Sequence, residues 1–433
     1  MKSKVALVLG YLKDNKNSIN VIVGCLEDSN VNIDVYLYYS SKLSPNLVYQ
    51  ALKVKDKYET LILGLSLLTT QVPTFIHNLM SEISRLEGKV LRVAGGPHAT
   101  GDPIGTLNLG FDIVFLGESE NTLVEFLRRI SEGDDYLKTP GIAYLDEGKV
   151  VFNVKPKPID LNMYPPFASK SRLYNPIEIT RGCPYSCSYC QTSFIFGGKP
   201  RHRSIDNVVK WTKEILDRGM RDLRFITPNA LGYGSLDGKS LSLEIVDELL
   251  SKLYMLTSKY KGRIFYGTFP SEIRPEFINS ESLRVLKKYV SNERIIIGAQ
   301  SGSERVLKSI RRGHTVDDVV NAVAEALRFG FKVDVDFIFN IPDEKPEDVE
   351  ETIKVIEKLV GMGARIHAHT YIPLPGTPLW CKPIKPLDER YKAKILKLIG
   401  KGLLYGYWKK QEELALEIYK LKSEGYIRGL HKR

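Results

Sequence analysis

At 433 residues, 43% hydrophobic and 26% charged, the chain is too long for one ordinary core and too balanced for a disordered or collagen-like protein. No apolar run nears the ~18–20 residues that a membrane span needs, and five cysteines are too few for a disulfide framework. The net charge of +11 gathers at one end, where Lys382 to Arg433 holds fourteen Lys/Arg against six Asp/Glu.

Met1 to Gly10 pairs two lysines with a short apolar run, and the polar stretch Tyr11–Asn20 follows. A signal peptide wants a longer apolar core, so a buried first strand in a cytoplasmic protein is expected. Val5–Leu9, Ile33–Tyr38, Thr60–Leu65, Lys89–Ala94 and Ile113–Leu116 read as strands, with helices at Pro45–Val54, Val72–Leu86 and Asn121–Ile130. Such alternation predicts an α/β, Rossmann-like domain over residues 1–138, with a parallel sheet covered on both faces. Its ligands belong at the carboxyl ends of the strands, where Gly64-Leu65-Ser66, Gly95-Gly96-Pro97-His98 and Gly117-Glu118-Ser119-Glu120 fall.

Residues 139–172 read as a hairpin, Gly141–Asn153 with Asp146-Glu147-Gly148 at its turn, and then a connector carrying Pro156, Pro158, Pro165 and Pro166. A second alternation follows over residues 173–380. Strands are expected at Ile177–Thr180, Asp222–Ile226, Arg263–Thr268, Arg294–Ala299, Lys332–Phe339 and Arg365–Tyr371. Helices are expected at Ile205–Asp217, Leu243–Tyr254, Ser280–Lys288, Thr315–Phe329 and Pro346–Gly361. Six units predict a partial, TIM-like (β/α)6 barrel with its chemistry on the carboxyl-side loops. Residues 381–433 lack strand patterning and read as a basic helical appendage. Such a tail offers nucleic acid an electrostatic handle. A solvated Lys-rich surface is the alternative, favoured by the lack of aromatic-basic interleaving.

Three of the five cysteines stand within eight positions, in Arg181-Gly182-Cys183-Pro184-Tyr185-Ser186-Cys187-Ser188-Tyr189-Cys190. Cys25 and Cys381 lie far off and read as small, buried or partly buried side chains. Three thiolates on one loop can take three corners of an iron-sulfur cube and leave one iron open, whereas electron carriers normally use four. Structural zinc would need a fourth ligand, and the nearest histidine is His202, twelve residues on.

This CxxxCxxC loop after a barrel strand resembles the radical S-adenosylmethionine (SAM) superfamily. The resemblance implies a [4Fe-4S] cluster on Cys183, Cys187 and Cys190 whose open iron binds SAM. One-electron reduction then gives methionine and a 5′-deoxyadenosyl radical, so an electron donor of ferredoxin or flavodoxin type is expected. It also implies that Tyr189 packs near the adenine. Thr227-Pro228-Asn229-Ala230 stands where the family usually has a Gly-Gly-Glu-like stretch, and its hydroxyl, amide and carbonyl groups offer the same contacts. Gln300 and Ser301 resemble the segment contacting the SAM ribose and carboxylate. Arg311 and Arg312 follow, either of which could pair with that carboxylate, and Phe339–Glu344, with Ile341, resembles the segment packing on adenine. His367 and His369 share one face of the sixth strand; they are candidates for handling protons or substrate, with structural histidines as the alternative.

The first domain resembles the cobalamin-binding domain that precedes the radical SAM domain in one large class. That resemblance implies cobalamin contacts at Ser66, Leu67, Thr69, Gly95, Gly96, His98, Gly117 and Glu118. No histidine lies between Gly10 and Gly24, so the Asp-x-His-x-x-Gly lower ligand of many such domains is missing. The alternative is a domain kept for packing or substrate. The whole run from Val5 to about Trp380 resembles archaeal-type cobalamin/radical SAM proteins. Cobalamin-dependent methylation of an unactivated carbon is the first expectation, and the substrate, small or macromolecular, is open. Rearrangement, cyclisation or sulfur insertion without cobalamin is the second, and a non-catalytic iron-sulfur or RNA-binding role the third.

Overall fold

The computed structural model describes residues 4–86, 88, 90–387 and 389–430. They form two compact units. One holds the chain up to Asn175 together with Leu374–Trp380 and the segment from Glu417; the other holds Pro176–Pro373 and Cys381–Leu416. Among the described residues no helix is long and apolar enough to cross a membrane.

In the first unit, β1 (Val5–Leu12), β2 (Asp34–Ser40), β3 (Thr60–Ser66), β4 (Leu91–Gly95) and β5 (Ile113–Phe115) form a parallel sheet in the order 2-1-3-4-5. This doubly wound order makes its switch point between β1 and β3, where ligands of such sheets bind. Val5, Leu7 and Leu9 of β1, Ile62 of β3, Val93 of β4 and Phe115 of β5 are buried in one apolar cluster with Ile19, Val23, Leu123, Phe126 and Leu127. Each such side chain contributes roughly 1.5–3 kcal/mol by leaving water. Ile19 and Val23 belong to a helix, Lys16–Asp28, that apolar period does not reveal because its first turn is polar. Asn15 ties that turn down: its Oδ1 accepts from Leu12 N at 2.8 Å, and its Nδ2 donates to Gly10 O and Ser66 O.

Other expectations shift in detail. The helix expected over Val72–Leu86 breaks at Leu79 into Val72–Asn78 and Met80–Ser84. Lys89, expected to open the fourth strand, lies outside the described residues. The hairpin is present as β6 (Ile142–Asp146) and β7 (Lys149–Phe152), turning on the left-handed Glu147 and Gly148. It is not a detached connector, because β6 pairs antiparallel with β5 and extends the sheet to seven strands. The end of the described chain also belongs to this unit. Buried Asp102 accepts from the backbone N–H groups of Gly105, Arg428 and Gly429, and Leu430 N donates to Gly101 O.

The second unit starts with β8 (Ile177–Glu178) and β9 (Thr180–Arg181), the latter paired with β10 (Arg201–His202). β11 (Asp222–Ile226) lies between β8 and β12 (Arg263–Phe265), all parallel. β13 (Arg294–Gln300), β14 (Lys332–Phe339) and β15 (Arg365–Thr370) continue in parallel, and hydrogen bonds from Ile296 N to Gly267 O and from Ile273 N to Ile296 O link the two groups. The result is the expected open barrel, with one correction. Leu404–Tyr405, inside the segment expected to be purely helical, is a parallel strand, β16, on β15. It lies between helices Glu389–Gly400 and Trp408–Ser423. The barrel interior is polar at this end: Asp334, almost fully buried, accepts from Arg294, Arg365 and the Tyr405 hydroxyl.

Candidate active site

The loop after β9 carries the three thiols. Gly182 makes its entry possible. Its φ is +91°, and a Cβ there would stand 2.4 Å from the Lys199 carbonyl oxygen. Cys183 N donates to Gly197 O, Ser193 Oγ donates to Cys183 O at 2.6 Å, and Cys190 N donates to Cys187 O. Ser188 N donates to Ile310 O, which fixes the loop to the end of the short helix Glu304–Ser309 that follows β13. Cys183, Cys187 and Cys190 all line one cavity of about 360 Å³ at the carboxyl ends of the barrel strands.

These residues fit a cluster better than a single ion. Among the described residues, three ligand atoms converge within 4.8 Å only at Asp336, His367 and His369, so the thiols are set wider, as separate corners require. His202 does not supply a fourth ligand. Its Nδ1 meets Thr180 Oγ1 at 2.9 Å and its Nε2 meets Ser235 O at 2.8 Å, leaving neither nitrogen for a metal. Cys25 is buried in the first unit, and Cys381 is exposed, against the expectation of burial. Burial raises the thiols of Cys183 and Cys190 above the ordinary range, so metal must displace their protons.

The same cavity gathers several of the expected SAM contacts. Tyr189, Thr227, Pro228 and Gln300 line it. Asn229 and Ser301 do not: Asn229 Oδ1 accepts from Arg274 N, and Ser301 is buried against Thr352 Oγ1 at 3.3 Å. Ile341 is likewise buried outside the lining. Arg311 faces solvent. Its neighbour Arg312 is the one that lines the cavity, donating from Nη2 to Gly298 O at 2.8 Å and lying 3.8 Å from Cys187 Sγ. The Arg312 Nε is buried with no partner. Arg274, which lies over the Tyr185 ring at 3.4 Å, Glu272 and Asp336 also line the site, and no sequence motif points to them. Asp336 alone leaves a partial signal, as the second of two acids, with Asp334, spaced by two along one face of a buried strand.

In the first unit the strand ends divide. Gly95, Gly96, Gly117 and Glu118 are partly open, whereas Ser66, Leu67, Thr69 and His98 are buried. Gly96 has φ +93°, and its Cβ position is 2.9 Å from both Leu67 N and Leu67 O, so the turn admits only glycine without strain. Ser66 Oγ is buried without a partner. These small, backbone-open ends fit the corrin and nucleotide contacts of a cobalamin. The His98 ring, however, lies wholly inside, with Nδ1 3.2 Å from Thr69 Oγ1, so it supports the turn from behind. Burial lowers its pKa to about 3. The folded state therefore holds fewer protons than the unfolded chain below pH ~6.5, and stability falls as pH drops through that value toward 3. His98 should contribute about 2 kcal/mol to the stability lost between pH 7 and 5, read as a shift of the denaturant midpoint that is smaller by that amount in a His98→Gln variant.

Residues 177–356 match the radical SAM superfamily, and residues 15–127 match the B12 binding domain. The chain therefore carries a B12-binding domain followed by a radical SAM domain. Radical SAM enzymes use a [4Fe-4S] cluster and SAM, and the first domain is of the kind that binds B12. An uncharacterized methyltransferase of Pyrococcus horikoshii is 27% identical over 342 residues, covering 76% of this chain and 70% of its own. The threonylcarbamoyladenosine tRNA methylthiotransferase MtaB of Thermotoga maritima is 23% identical over 316 residues, 72% of this chain and 65% of its own. Among solved structures, the radical SAM methyltransferase TsrM of Kitasatospora setae superposes with a TM-score of 0.67 at 16% identity, over 87% of this chain and 74% of that one. The cobalamin-dependent radical enzyme OxsB gives 0.65 at 17%, over 99% of this chain and 62% of that one. At such identities the likeness concerns the fold.

Proposed function

We propose that this radical SAM protein methylates an unactivated carbon of its substrate in a cobalamin-dependent reaction. The observation that carries the reading is the pairing of a three-thiol loop at a barrel cavity with a 2-1-3-4-5 sheet whose strand ends are open and glycine-rich. When bound, the cluster supplies the electron that cleaves SAM and cobalamin supplies the methyl group. Cys183, Cys187 and Cys190 would ligate three irons, and the missing fourth thiol leaves one for the SAM amino and carboxylate groups. Arg312 would direct its guanidinium charge to that carboxylate, Thr227 and Gln300 would meet the polar parts of SAM, and Tyr189 would pack on its adenine. Gly95, Gly96, Gly117 and Glu118 would receive cobalamin. The names of the relatives agree: TsrM is a methyltransferase seen with cobalamin and a cluster, and OxsB is cobalamin-dependent. An external one-electron donor of ferredoxin or flavodoxin type completes the scheme.

Methylthiotransfer, suggested by the Thermotoga maritima relative, is the second reading. That chemistry usually brings three further cysteines for another cluster. Here only Cys25 and Cys381 remain, one buried in the first unit and one exposed in the second.

The test is anaerobic reconstitution with iron, sulfide, cobalamin and SAM under strong reductant. Methylation predicts S-adenosylhomocysteine beside 5′-deoxyadenosine, with the former requiring cobalamin. 5′-Deoxyadenosine alone, at every cobalamin concentration, overturns the methylation reading and retains the radical one.

A further inference from the structure

On the inner wall of the barrel, β14 and β15 pair in register, with Asp336 opposite His367 and Ile338 opposite His369. The period of two turns these residues to one face. Asp336 Oδ1 stands 3.0 Å from His367 Nδ1, which stands 3.1 Å from His369 Nε2, and the three atoms lie within 4.8 Å of one another. Protons alone do not satisfy this set. Gln411 Oε1 accepts from Thr370 N at 3.0 Å, which turns the amide nitrogen toward His369 Nδ1, at 3.4 Å. That arrangement places the His369 proton on Nε2, aimed at His367 Nδ1. The same Nδ1 cannot accept from His369 and also donate to Asp336.

We propose that Asp336, His367 and His369 form a second metal site, distinct from the cluster loop, for a six-coordinate first-row divalent cation such as Mn2+ or Fe2+. A cation that replaces the His369 Nε2 proton, with that ring's proton moved to Nδ1, gives Asp336 Oδ1, His367 Nδ1 and His369 Nε2 a common acceptor. Neighbouring ligands at ~2.1 Å from a metal stand about 3.0 Å apart in octahedral geometry and about 3.4 Å in tetrahedral geometry; two of the three separations, 3.0 and 3.1 Å, match the former, and the third lies within 4.8 Å. Two imidazoles and one carboxylate on one face are the donor set of mononuclear Fe2+ and related sites with open positions. Tyr405 stacks on His367 with centroids 4.6 Å apart and planes 11° apart, which holds that ring in place. Asp336 also lines the cavity of the three thiols, although neither histidine does, so the site borders the reaction space and suits a substrate bearing oxygen or nitrogen donors. The inference does not depend on methylation being the reaction.

The test uses full-length protein with its cluster reconstituted and oxidised, in which state it is silent in electron paramagnetic resonance. Titration with MnCl2, read by the six-line signal of free Mn2+, should show one saturable site per chain. His367→Ala and His369→Ala should each weaken it more than about 100-fold, and Gln411→Glu should tighten it about tenfold, because a carboxylate accepts from both Thr370 N–H and a His369 Nδ1 proton. No saturable Mn2+ binding to the wild type overturns the site, as does binding unchanged in both histidine variants. Should those variants fail to fold, Gln411→Glu decides: tighter binding supports the site, and unchanged or weaker binding overturns it.

Discussion

A Cys187→Ala variant should lose its iron-sulfur absorbance and at least about 10³-fold of its 5′-deoxyadenosine formation, a loss of about 4 kcal/mol or more in transition-state stabilisation. The size follows from the ligand set: with Cys187 gone only Cys183 and Cys190 remain on the loop, and among the described residues no other cysteine lines the cavity. Alanine at Cys183 or Cys190 should do the same, while alanine at exposed Cys381 should change neither iron content nor product. Assembly should depend on pH in a definite direction. Burial holds the Cys183 and Cys190 thiols protonated to higher pH than usual, and metal binding releases those protons. Reconstitution should therefore be faster at pH 8.5 than at pH 6.5. Full iron content in Cys187→Ala would refute the assignment.

The second large effect separates two adjacent arginines. Arg312→Ala should weaken SAM binding roughly 10- to 150-fold, the range of one charge-assisted hydrogen bond of about 1.5–3 kcal/mol, whereas Arg311→Ala should stay within about twofold. The contrast comes from placement. Arg312 is buried between Gly298 O and Cys187 Sγ with its Nε unpartnered, and Arg311 faces solvent. Burial alone would lower the Arg312 pKa, but Tyr189 and Cys187 beside it reverse that and raise it above the ordinary value, so the charge persists throughout the working range. Arg312→Lys keeps the charge without the planar fork and should recover only part of the affinity. Equilibrium binding of SAM to the reconstituted protein measures all three; equal losses at the two positions would sink the distinction.

What is legible in the sequence follows the periodicity of particular segments. Lys332–Phe339, Ile205–Asp217 and Pro346–Gly361 stand where apolar period places them, because burial on a sheet face or helix stripe leaves that pattern. The thiol loop is legible because three cysteines within eight positions seldom occur except around a metal. Helix Lys16–Asp28 is not, since its polar first turn is secured by Asn15 reaching Ser66 O, fifty-one residues away. Strand β16 escapes for a similar reason: two residues paired to β15 carry no period. The choice between Arg311 and Arg312 is equally closed to sequence. It turns on Arg311 adopting φ +56°, which swings consecutive side chains apart. Ser301 and His98 sit beside the right loops yet face inward, and loop resemblance carries no information about facing.

Asp102 sets an order of events that the primary structure would not suggest. Its buried carboxylate takes N–H groups from Arg428 and Gly429, so an acceptor in the first quarter of the chain waits for donors more than three hundred residues later. During synthesis these two hydrogen bonds cannot form until translation has reached this segment, long after the strands of the sheet have emerged. A fragment ending near residue 175 would lose the Arg428 and Gly429 N–H groups and keep only Gly105 N of those three, at a cost of about 1–3 kcal/mol for each lost charge-bearing contact. Such a fragment is therefore a poor stand-in for cofactor-binding work, and a peptide spanning residues 417–433 supplied in trans should restore its resistance to proteolysis.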